Sequence, residues 1–193
     1  MGEALRPTTP TPSEPAAPAR DDGAVELSSP VCYAAGADDA YMGYLDRDAL
    51  VAALNELLEA ERAGAKVAAR LVADAARPEL KALAQVIQRD EVRWCKMLMG
   101  ALEALGATPS VAVGDFYDRA MAIADLEDRF VFVNRGQAWV VRKLKALLPK
   151  VRADRLHADL IAMLAAHDHN ITQAERTLAG LPRAGPQPGA QAS

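Results

Sequence analysis

From Asp46 to Gly180 the chain repeats apolar residues at spacings of three and four, interrupted only at Pro78, at Gly106 to Pro109 and at Pro149. This spacing places side chains on one stripe of an α-helix. The first stripe runs through Leu54, Leu58, Ala65, Ala68 and Val72. The second runs through Leu80, Ala84, Ile87, Trp94, Leu98, Ala101 and Leu105. A third starts where Asp115 can cap a helix and continues through Phe116, Ala120, Ile123, Phe130, Asn134, Val141, Leu144 and Leu148. The fourth, which Asp154 can cap, carries Leu156, Leu160, Leu164, Ile171, Ala174 and Leu178. Four helices of roughly 25–33 residues with short connections are expected. Each has one apolar face that must be buried against the others. The fold class is therefore all-α, a single four-helix bundle.

The chain has 193 residues, enough for one sizeable core. Residues 1–31, dense in proline and alanine, are expected to be a disordered arm, and 182–193 a disordered tail. Residues 32–181 are then the bundle with a short extension, whose Tyr33, Tyr41 and Tyr44 are expected to lie across its surface. A net charge of −4 argues against a nucleic-acid partner. Aromatic residues at 5% disfavour β architectures. No apolar run approaches the ~18 residues of a membrane span. The N-terminus lacks the apolar stretch of a secretory signal, and two cysteines make no disulfide framework, which points to the cytoplasm. A homodimer is compatible with all of this. No phosphate loop, Ser-His-Asp set or CxxC motif is present, so the sequence does not say whether the protein is an enzyme.

Each apolar stripe carries one ionisable residue: Glu61, Glu91, Glu127 and His167. Each is expected about 12–15 residues into its helix, roughly 20 Å along it, so all four should meet at one level. A lone buried carboxylate costs several kcal/mol, and three facing one another repel. Separate local explanations exist: Glu61 with Arg62 or Lys66, Glu91 with the Trp94 indole, Glu127 with Asn134 through water. Four such residues at one depth point instead to a shared cation. Three carboxylates and one imidazole suffice for a divalent ion such as iron, manganese or zinc. Asp168 and His169 are expected to face solvent, and Cys95 to pack as a small apolar side chain. Arg135, Arg142, Lys143, Lys145, Lys150, Arg152 and Arg155 read as a solvated face favourable to a helix C-terminus, with docking of an acidic partner the alternative.

The pattern resembles the ferritin-like superfamily, whose bundles carry a Glu on helix one, Glu-x-x-His on helix two, a Glu on helix three and Glu-x-x-His on helix four. Here Glu61 stands in Asn55-Glu56-Leu57-Leu58-Glu59-Ala60-Glu61-Arg62, followed by Glu91-Val92-Arg93-Trp94, by Glu127, and by Leu164-Ala165-Ala166-His167. The resemblance spans about residues 48–178 and departs twice, with Trp94 in the place of a histidine and Leu164 in the place of a glutamate. The segments LNELLEAERAGA, DEVRWCKML and NRGQAWVVRKL are similar to an uncharacterised bacterial ferritin-like domain family of unknown function. The resemblance implies a metal-binding protein with a reduced site on Glu61, Glu91, Glu127 and His167, holding one metal and engaged in redox chemistry or metal sensing. The alternative is a non-catalytic helical interaction module whose metal site has degenerated.

Overall fold

Local signals set the helix starts. Asp46 accepts a hydrogen bond from the Ala49 amide (2.8 Å), and Asp125 accepts one from the Asp128 amide (2.9 Å). Both satisfy donors that a helix N-terminus otherwise leaves orphaned. Pro78 occupies the first position of its helix, where its missing N–H is no loss. A computed structural model describes residues 42–181. In it α1 spans Arg47–Asp74, α2 Pro78–Ala104, α3 Phe116–Met121, α4 Leu126–Leu147 and α5 Asp154–Ala179, with a 3-10 turn at Leu148–Lys150. Among the described residues there is no strand, and no helix is long and apolar enough to cross a membrane. The expected arm, the expected tail, Cys32, Tyr33 and Tyr41 lie outside the described residues; Tyr44 is half-buried just before α1.

The third helix differs from expectation. It does not run unbroken from Asp115 to Leu148. A short α3 ends at Met121, and α4 begins afresh at Leu126 behind the Asp125 cap. Nor is the connection after α2 short. The Arg47 guanidinium, at the start of α1, donates to the Leu105 carbonyl at the end of α2 (2.9 Å). Arg77, just before α2, pairs with Glu127 in the first turn of α4. Residues 105–125 therefore travel back along the whole length of α2. That makes α4 run parallel to α2, while α1 pairs antiparallel with both. The Leu45 amide bonds the Lys150 carbonyl (3.0 Å), which places the end of α4 beside the start of α1. Each of the four long helices packs against two others: α1 on α2 and α4, α5 on α4 and α2.

The buried side chains form two apolar clusters. One gathers Leu54, Leu57, Leu58, Trp94, Leu98, Leu102, Leu144, Leu160 and Met163, where α1 and α5 begin and α2 and α4 end. The other gathers Val67, Leu71, Leu80, Leu83, Ile87, Phe130, Val133 and Ala174 at the opposite end. In sequence position, the buried polar residues Glu61, Glu91, Gln137, His167 and Asn170 fall between the two sets. Arg129, also buried, closes the far end by donating to the Ile123 carbonyl (2.8 Å) and to Asp74 (2.7 Å).

Candidate metal centre

Glu61 is the fifteenth residue of α1, Glu91 the fourteenth of α2 and His167 the fourteenth of α5. Mid-helix positions on three packed helices meet at one level. The three side chains converge, with one ligand atom of each within 4.8 Å of the other two. Their exposures are 0%, 4% and 1%. His167 Nε2 lies 3.2 Å from Glu61 Oε1, and beyond this pair and the Glu91 carboxyl beside it neither that nitrogen nor either Glu61 oxygen has a hydrogen-bond partner. Unpartnered polar atoms at such depth are rare in folded proteins.

The imidazole is held by its other nitrogen. His167 Nδ1 is 3.0 Å from the Met163 carbonyl, one turn back. A carbonyl only accepts, so in the neutral ring the proton sits on Nδ1 and the Nε2 lone pair faces Glu61. This is the outer bond that commonly orients a metal-ligating histidine. Burial pushes the Glu61 carboxyl up to about 8, with the Asp90 charge adding to the rise and contact with the Glu91 carboxyl opposing it. Burial, and then the Glu61 charge, drive Glu91 well above the usual carboxylate range, while His167 works the other way. Two carboxyls and an imidazole in so dry a place call for protons or a cation.

The approach of Glu91 depends on a glycine. A Cβ at Gly64 of α1 would fall 2.6 Å from Glu91 Oε2. Only a bare backbone lets that carboxylate lie against α1. Asn170, one turn beyond His167, donates from Nδ2 to Asp90 Oδ2 (2.9 Å) and ties α5 to α2 beside the cluster.

Glu127 does not join. It sits in the first turn of α4, its side chain 44% exposed, and pairs with Arg77 at the end of the bundle where α2 begins. The break before Asp125 moves the start of the helix, and with it the depth of every later residue. The mid-helix position of α4 is Gln137, the twelfth of its 22 residues, buried with both amide atoms unpartnered. Trp94, in place of a histidine, packs in the apolar cluster next to the site with its indole nitrogen unpartnered. Leu164 packs partly buried against that cluster. Cys95 is half-buried; burial, followed by the charges of Glu61 and Glu91, pushes its thiol up to about 12 and keeps it protonated.

With two carboxyls and an imidazole buried together at mid-height among its described helices, the chain could hold a metal. It belongs to the family described as a domain of unknown function, DUF6306, which matches residues 48–176. No curated protein and no solved structure matches the chain. The matched stretch contains all three converging residues.

Proposed function

We propose that this is a ferritin-like metal-binding protein whose reduced site holds one divalent cation, iron, manganese or zinc, on Glu61, Glu91 and His167. The supporting observation is the convergence of three buried donors, of which both Glu61 oxygens and the His167 Nε2 meet no partner outside the cluster. The likeness to the ferritin-like architecture is supported by four long helices joined with one long crossover, here residues 105–125. Three protein ligands leave coordination positions open, as in metal sites that bind a further group. The cation would supply Lewis acidity or, for iron or manganese, one-electron redox chemistry, as an oxidoreductase or sensor requires. Met163 fixes the His167 tautomer, Gly64 admits the Glu91 carboxylate, and the two apolar clusters flank the site along the helices.

The test is metal analysis of the full chain purified without chelators. About one equivalent is expected in the parent, and far less in Glu61→Ala, His167→Ala. A second reading, a helical interaction module with a degenerate site, is favoured by Trp94 and Leu164 standing where further ligands would be. It predicts a metal-free protein whose melting temperature ignores added Fe(II), Mn(II) and Zn(II), and that result would replace the first reading.

A further inference from the structure

A cavity of about 540 Å³ opens between α1, α3 and α4. Its size is that of a site for a small organic ligand. The Phe116 ring forms one wall. It lies on the α4 backbone at Gly136, where a Cβ would come within 2.6 Å of it, and stacks on Phe132 with centroids 4.9 Å apart. Trp139 and Val140 extend the apolar lining, and Glu91 and Gln137 stand among the lining residues as its buried polar members.

The charges at the cavity divide by sign. Each acidic side chain on the rim already has a partner: Glu56 pairs with Lys143 (2.7 Å), Glu59 accepts from the Ser110 hydroxyl, and Asp115 faces Arg119 (3.8 Å). Arg135 and Arg142, both exposed, line the same cavity and have no ion-pair or hydrogen-bond partner among the described residues. Gln137, 3% exposed, has neither its amide oxygen nor its amide nitrogen bonded. A buried amide left in that state is available to a group that both donates and accepts.

We propose that this cavity binds a small aromatic carboxylate, its ring between the Phe116 and Trp139 walls, its carboxylate at Arg135 and Arg142, and a hydroxyl at its inner end bonded to Gln137. Guanidinium groups favour carboxylates through paired, charge-assisted hydrogen bonds. The negative end stays at the rim, because the deep end meets the carboxyl of Glu91. The site stands on its own residues; only its meeting with the metal, through Glu91, rests on the function proposed above.

The full chain as purified is titrated calorimetrically with 2-naphthoate, 2-naphthol and 6-hydroxy-2-naphthoate. One equivalent of 2-naphthoate should bind, with 2-naphthol weaker by about tenfold or more, as loss of a charge-assisted contact implies. Arg135→Gln, Arg142→Gln should lose a similar factor for 2-naphthoate and nothing for 2-naphthol. The 6-hydroxy compound should bind more tightly than 2-naphthoate to the parent, and no more tightly to Gln137→Leu. The arginines are exposed, so their replacement leaves the fold intact and the test decisive. Absence of saturable 2-naphthoate binding, equal affinity for 2-naphthol, or an arginine double variant that binds 2-naphthoate as well as the parent overturns the proposal. Metal content is measured on the same preparations, so a failed anion site and a failed metal site give different results.

Discussion

Gly64 makes the site possible at the scale of a single atom. Glycine inside a helix is ordinarily worse than alanine by about 0.5–1 kcal/mol. Gly64→Ala should therefore stabilise α1, were it not for Glu91 Oε2 standing 2.6 Å from the added carbon. We expect a lower melting temperature and weaker metal uptake together; a more stable variant with full metal capacity would show that Glu91 does not need this approach. Protons should act at the same place. The folded Glu61 carboxyl, at about 8, stands above its ordinary 4.5, so between these values the folded state binds more protons than the unfolded one. Stability of chelated protein should then fall as pH rises through that window. The groups facing Glu61 are Glu91 and Asp90 of α2 and His167 of α5, and the raised Glu91 acts in the same direction. Denaturant midpoints at about pH 5.5, 7 and 8.5 should decline in the parent and decline less in Glu61→Gln. Asp74 has the opposite sign. Burial raises its carboxyl, but hydrogen bonds from Arg70 and Arg129 outweigh this and hold it below 3.8, so its contribution is present above that value and lost in stronger acid.

Among the elements, the start of α4 decides which residue reaches the centre. Glu127→Gln should leave metal content unchanged, because Glu127 faces Arg77, whereas Glu61→Gln should lose most of it. If both lose metal alike, the helix begins elsewhere. Asp125→Ala removes the cap that sets this start and should cost about 1 kcal/mol. Much was legible beforehand. The stripes of α1, α2 and α5 are readable because Asp46 and Pro78 mark two of the starts and Asp154, though it stands in the first turn of α5 behind Ala153 and caps nothing, lies close to the third; a charge on such a stripe is conspicuous, and Glu61, Glu91 and His167 follow from that alone. Glu127 was misplaced because Ala122 to Asp125 contains neither Gly nor Pro, so the periodicity runs on through the break. The available signal was Asp125 ahead of Leu126, Glu127 and Asp128, an N-terminal pattern with acidic residues in the first turn. Counting from there gives Gln137, three residues after Asn134 and four before Val141 on the same stripe. An uncharged amide draws no attention in a sequence. Gly64 was not legible at all, since its role depends on where a neighbouring helix places a carboxylate.

For the whole molecule, the crossover sets the direction of α4, parallel to α2, and the two apolar clusters fix its strength. Leu58 belongs to one cluster and Ile87 to the other, and both are fully buried. Truncation of either to alanine should cost about 2–5 kcal/mol. Added metal should raise the melting temperature of the parent and of both variants, since binding favours the folded state by mass action. A rise confined to Leu58→Ala would mean that the two ends unfold separately. The polar layer has one more consequence. Stripes built of leucine and alanine look much the same after a displacement of one turn, about 5.4 Å, so hydrocarbon alone hardly distinguishes one alignment of the helices from the next. Glu61, Glu91 and His167 remove that ambiguity. A helix displaced by a turn would set its charged residue against leucine and leave the other two facing an empty position. The residues that gather a cation thus also act as an alignment mark, and a descendant with no use for the metal would still need something in their place to tell its helices where to stop sliding.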